Sequence, residues 1–298
     1  MDSERYFFNE FIIKNPTDKL TDIEEKEILM SIEKFEKIIK EDSRIYDGQT
    51  VYIGYSGVLY YYLNCYFTKN DGEIYLNLCS KYVDLLISVI DNKKYFDESE
   101  LCEDITFLTG IVGPLTLLAI YYDIKDDQKK VEKMLTDIKS LTKYCFLSKS
   151  CELLYGKSGY IYASRLLNSY FKREIISSEI LKSICYDILK RGERTAREFN
   201  RRDIYIWREL NYVFIGAAHG ISGILYQLLN FQFILDDENI MKKIQNTANF
   251  IIKHQDNEGN FGEINEKMEI TCHFCYGAPG IIPTLLKLYT IRKDQKVS

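Results

Sequence analysis

Five copies of one signature, Gly-x-x-Gly followed at once by an apolar run, punctuate the chain at Gly54–Gly57, Gly110–Gly113, Gly156–Gly159, Gly220–Gly223 and Gly277–Gly280. Successive copies stand about 46 to 64 residues apart, room for two helices and two loops, so the repeat is a helical hairpin. Two kinds of helix alternate within it. Ile28, Ile32, Phe35 and Ile39, then Val131, Met134, Leu135 and Ile138, then Met241, Ile244, Ala248 and Ile252 fall on one face each, leaving the other wet. The segments after each second glycine, such as Val58–Leu63, Pro114–Ile120 and Ile224–Leu229, are apolar nearly all round and must be buried. Alternation of half-wet and buried helices predicts two concentric layers, an all-α, α/α toroid, with residues 1–298 as a single domain.

Glycine at the head of every inner helix suits crowded helix ends and predicts turns that use positive φ. Unpaired N–H groups from several first turns are then expected to converge on an electropositive floor that stabilises a thiolate or carboxylate.

A net charge of −5 disfavours nucleic-acid binding by overall charge, and no stretch has the apolar length of a membrane span. Without a secretory pattern the default is cytoplasmic, and the eight cysteines read as reduced thiols, with Cys65, Cys79 and Cys185 as small core residues. The run Arg191, Arg194, Arg197, Arg201 and Arg202 reads as a solvated helix end softened by Glu193, Glu198 and Asp203, or else as a surface facing phosphorylated proteins. His219 opens an inner helix and is the acid/base candidate. Cys272, His273 and Cys275 look like half of a zinc site. None of the Gly-x-x-Gly motifs holds a carboxylate, which disfavours a glycosidase-type toroid needing paired acids.

The chain resembles the lanthionine synthetase C-like (LanC-like) family, in its eukaryotic, glutathione-binding branch. The resemblance rests on Glu4-Arg5-Tyr6-Phe7-Phe8-Asn9-Glu10-Phe11, on Ile105–Leu115, on Glu152-Leu153-Leu154-Tyr155-Gly156-Lys157-Ser158-Gly159, on Gly216-Ala217-Ala218-His219-Gly220-Ile221-Ser222-Gly223, and on His273-Phe274-Cys275-Tyr276-Gly277-Ala278-Pro279-Gly280. It implies a double toroid of seven hairpins. It also implies a zinc ion held by Cys275 and by a Cys-His pair from a later motif, which has no counterpart here. The chain is therefore expected to be C-terminally incomplete, with five of seven hairpins, impaired zinc binding and edges open to self-association.

The family chemistry so implied is zinc-assisted addition of glutathione to dehydroalanine or dehydrobutyrine residues in proteins. His219 and Tyr276 are its implied catalytic residues and Arg5 its glutathione contact; Cys272 and His273 are substitute zinc ligands by their local spacing alone, His273 matching a position that is not a ligand in the family. Thr106 stands where the resemblance places a catalytic Asp in bacterial cyclases, which disfavours peptide cyclisation. The alternative is a non-catalytic LanC-like module that binds glutathione or a protein partner.

Overall fold

A computed structural model describes residues 21–41, 48–92, 98–209, 211–256, 259–261 and 273–297. The chain divides into two compact units, residues 1–47 and 48–298. The first contributes one amphipathic helix, α1 (Asp22–Glu41). The second is built from α2 (Tyr55–Thr68), α3 (Gly72–Asn92), α4 (Glu98–Glu103), α5 (Val112–Ile124), α6 (Gln128–Ser140), α7 (Thr142–Leu147), α8 (Lys157–Phe171), α9 (Ser178–Glu198), α10 (Ile221–Leu228), α11 (Gln232–Leu235), α12 (Glu238–Ile252) and α13 (Ala278–Val297). Among the described residues there is no β-sheet, only two isolated bridges, and no helix is long and apolar enough to cross a membrane.

The layering follows the apolar pattern. Helices α2, α5, α8, α10 and α13, each headed by a glycine motif, pack side by side in that order, while α3, α6 and α9 pack on α2, α5 and α8 from the other side. Eleven of the thirteen residues of α5, from Val112 to Tyr122, are buried. Its partner α6 buries only Val131, Met134, Leu135 and Ile138, one stripe at helical spacing. These contacts agree with an α/α toroid.

Two capping devices separate the layers. The polar-faced helices use side chains: Asp127 accepts from Lys130 N, Ser177 from Ile180 N, and Asp237 from Asn239 N and Ile240 N. The inner helices α2, α8 and α10 start at Gly54, Gly156 and Gly220 with no side-chain cap. Their first N–H groups instead bond the carbonyls seven residues back, Ile221 to Phe214, Ser222 to Ile215 and Gly223 to Gly216, at 3.0 to 3.3 Å. Tyr55 and Ile111 repeat the bond to Gly48 and Asp104. Where a serine follows the first glycine by two, its hydroxyl bonds a carbonyl seven residues back as well, as Ser158 to Cys151 and Ser222 to Ile215.

This corrects two expectations. In the third and fourth loops the first-turn donors are consumed inside the loop, so these two helix ends present no open floor of N–H groups to an anion. Nor do the motif glycines use positive φ: Gly54, Gly156 and Gly220 lie at −128°, −124° and −123°, extended backbone open to any residue. Glycine is required because the loop doubles back on itself. A Cβ on the second glycine would strike the carbonyl oxygen six residues earlier in all five motifs, at 2.4 Å for Gly57 and Gly159, 1.9 Å for Gly113, 1.8 Å for Gly223 and 2.1 Å for Gly280.

Backbone and side-chain bonds stitch neighbouring loops together. Tyr52 N donates to Leu108 O at 2.9 Å, Thr106 Oγ1 to Leu154 O at 2.6 Å, Leu153 N to Ala218 O at 3.2 Å and Ala217 N to Phe274 O at 3.2 Å. The Lys157 ammonium, fully buried at the head of α8, bonds the Cys145 and Phe146 carbonyls at the end of α7 and pairs with Asp187 of α9 at 3.3 Å. Cys65, Cys79 and Cys185 are buried core thiols, as their apolar settings imply. Burial pushes the thiols of Cys79, Cys145 and Cys151 up to about 12, which makes them inert.

Candidate functional site

Aligning the five loops on their first glycine assigns each column a task. The residues three before it, Phe107, Leu153, Ala217 and Phe274 among them, line an apolar cavity of about 410 Å³ between the inner helices, together with Tyr60, Tyr162 and Tyr226. The residues two before it carry most of the stitching described above. The residues immediately before it are Ile53, Thr109, Tyr155, His219 and Tyr276, and the last three gather into one cluster. The His219 ring lies near-parallel to Tyr155, 5.9 Å away at 28°, and to Tyr276, 5.3 Å away at 22°. Phe214 closes on both His219 and Tyr276 at 6.0 and 5.1 Å.

The column four before the glycine holds Thr50, Thr106, Glu152, Gly216 and His273. Glu152 is its single carboxylate, and that side chain is 1% exposed. Its Oε2 accepts from His219 Nδ1 at 2.5 Å and its Oε1 from Tyr155 N at 2.8 Å. Both oxygens are therefore used, and the hydrogen bond places the Nδ1 proton toward Glu152 and leaves Nε2 for exchange with a bound molecule. Glu209 stands behind this pair, accepting from Ser150 Oγ at 2.8 Å. Burial pushes its carboxyl above the usual range, the Ser150 hydroxyl opposes that, and the nearby Glu152 adds to the rise.

This carboxylate was missed by reading the Gly-x-x-Gly motifs alone, because it lies four residues before one of them. Alignment of the loops is the signal that finds it. In the same column Thr106 is buried, bonded to Leu154 O and packed with its methyl group over Gly159.

Cys275 sits in the fifth loop, half-buried, and Tyr52 OH from the first loop lies 3.6 Å from its Sγ. That hydrogen bond is the main cause of the raised Tyr52 phenol. Gly216 fixes the approach of this loop: a Cβ there would stand 2.2 Å from Cys275 O and 2.4 Å from Tyr276 Cα. Of the sequence-predicted site residues, the structure thus brings together His219 and Tyr276. It sets Cys275 next to Tyr276 in the same loop and leaves His273 exposed at 6.2 Å from the Tyr276 ring. Arg5 and Cys272 lie outside the described residues.

The donor set bears on the zinc implied for Cys275. The Cys275 thiol faces a phenol, His219 Nδ1 is taken by Glu152, and among the described residues no three His, Cys, Asp or Glu side chains are grouped to hold a metal. The described residues do not fit a three-ligand zinc centre.

The sequence profile described as lanthionine synthetase C-like protein matches residues 46–298, which contain all five loops. This chain belongs to the LanC-like family. It is 26% identical over 250 residues to a Danio rerio protein named glutathione S-transferase LANCL1, an alignment covering 81% of this chain. The LanC-like chain spans 58% of that relative's length. Among solved structures it is similar to nisin cyclase, with a TM-score of 0.59 at 13% identity, over 93% of this chain and 73% of the other. At that identity the likeness is one of fold.

Proposed function

We propose that residues 1–298 form one domain of five consecutive LanC-like hairpins that acts as a glutathione-binding module in the cytoplasm and not as a zinc enzyme. The observation that carries this reading is the site's donor set: a Glu152–His219 pair framed by Tyr155 and Tyr276, and a Cys275 thiol with Tyr52, not a ligand group, at its side. The relative named as a glutathione transferase supports glutathione as the ligand class. Its thiol and carboxylates suit His219 Nε2 and, in the proposal, the Arg5 guanidinium, which pairs bidentately with a carboxylate. Calorimetry with reduced glutathione on chelator-treated protein tests it. Binding without added metal, weakened by His219→Ala and by Arg5→Ala, is the expected result; binding that requires zinc overturns the reading.

A second reading, thiol addition, is favoured by the Glu152–His219 pair itself. A glutathione thiolate would form a bond from sulfur to the β-carbon of a dehydroalanine residue. His219 Nε2 would take the glutathione thiol proton as the thiolate forms; the C=C π pair would then move to the α-carbon, which would take that proton back from Nε2, directly or through the Tyr276 hydroxyl. Mass spectrometry of a dehydroalanine peptide incubated with glutathione and chelated protein separates the two: adduct formation faster than the protein-free control selects addition.

A further inference from the structure

The C-terminal half of α9 carries a basic ridge that the site does not use. Lys190, Arg194 and Arg197 fall at i, i+4 and i+7 on one exposed helix face, so their successive Cβ atoms stand about 5–6 Å apart. Two adjoining hollows, of about 380 and 430 Å³, are lined by this face together with Arg191, Arg202 and Lys243. Six basic side chains thus meet only two carboxylates there, Asp187 and Glu193.

Both carboxylates are already committed. Asp187 pairs with Arg191 at 2.8 Å and with the buried Lys157 at 3.3 Å. Glu193 pairs with Lys243 at 2.5 Å and with Arg197 at 3.8 Å. Lys190, Arg194 and Arg202 make no ion pair among the described residues, so positive charge accumulates locally on a chain of net charge −5. The ridge also adjoins the candidate site, because Arg191 NH1 donates at 3.3 Å to the carbonyl of Lys149, three residues before Glu152.

We propose that this ridge docks a phosphorylated segment of a protein partner in extended conformation. Alternate side chains of an extended chain lie about 7 Å apart on one side, within reach of long basic side chains at this Cβ spacing, and a guanidinium pairs with phosphate through two parallel hydrogen bonds. A single-stranded nucleic acid fits less well: the hollows offer Ile204 and charged side chains but no aromatic surface for stacked bases. The docking does not depend on whether thiol addition occurs at the neighbouring site.

Fluorescence anisotropy with a labelled peptide carrying phosphoserines two residues apart tests this, alongside its unphosphorylated form and a single-stranded RNA. The phosphopeptide is expected to bind at least about tenfold tighter than the unphosphorylated peptide, and the triple variant Lys190→Ala/Arg194→Ala/Arg202→Ala to lose at least about tenfold. These positions are exposed, and an unchanged circular-dichroism melt confirms that the variant is folded. Equal binding of both peptides, an unaffected triple variant, or tighter binding of the RNA overturns the proposal.

Discussion

The third and fourth glycine loops and the fifth share one signature, yet their surroundings differ. In the third loop Glu152, Leu153 and Leu154 are buried, and in the fourth Ala217, Ala218 and Gly220 are; each loop bonds its own carbonyls and both its neighbours. The fifth loop exposes His273 and Phe274, and α13 behind it leaves Ile282, Leu286 and Tyr289 open at 49%, 59% and 66% exposure. The signature therefore specifies the shape of a doubled-back loop, whereas burial on both flanks decides whether its preceding residues can hold a polar pair. A carboxylate–imidazole bond is worth most where solvent is excluded, and the third and fourth loops are where this occurs.

Adding one methyl group at equivalent places gives the largest expected contrast. Gly223→Ala sets a Cβ 1.8 Å from Ala217 O in a loop held on both sides, and should cost about 4 kcal/mol or prevent folding. Gly280→Ala, 2.1 Å from Phe274 O, should cost less because the exposed fifth loop can move outward. Urea denaturation of both variants measures it, and equal losses would break the comparison.

Next in size is Glu152→Ala, which strands the His219 Nδ1–H and the Tyr155 N–H; a loss of about 2–3 kcal/mol is expected by the same measurement. Glu152→Gln, whose single carbonyl oxygen can accept from only one of the two donors and which turns an amide NH2 toward the other, should fall between Ala and wild type.

Glu209→Gln is a smaller effect with a defined sign. Because burial raises the folded carboxyl above its unfolded value, the folded state favours the protonated form, and the ionised side chain weighs against folding at neutral pH. Glu209→Gln should melt higher than wild type at pH 7, and the gap should close as pH falls below about 4.5, where the wild-type carboxyl becomes protonated in both states. A gap that widens on acidification contradicts the assignment.

At the exposed end, Leu286→Lys should change stability by less than about 0.5 kcal/mol, since Leu286 is already mostly in solvent. A large loss would mean that α13 is covered.

Much of this was legible in the residues. The all-helical class, the buried and half-wet helices and the place of His219 at the head of an inner helix follow from apolar spacing and the glycine positions, because periodicity reports directly on burial. The role of the glycines was misread, since a sequence shows that a Cβ is excluded but not whether φ or a neighbouring carbonyl excludes it. The saturated helix N-termini were equally hidden: they depend on a loop folding back seven residues, a closure without composition bias. Glu152 stands out as the one carboxylate of its column only when the loops are superposed. Tyr52 was invisible because its contact with Cys275 joins loops 223 residues apart.

In the proposed function the Glu152–His219 pair of the third and fourth loops binds glutathione without metal. Nitrogen-15 NMR of the His219 imidazole in chelator-treated protein tests it most directly, during titration with reduced glutathione. The account predicts an Nδ1-protonated ring in the free protein, a saturable shift of Nε2 on titration, and loss of both signatures in Glu152→Ala. A ring unaffected by glutathione until zinc is added, or an unchanged Nδ1 signal in Glu152→Ala, would contradict it.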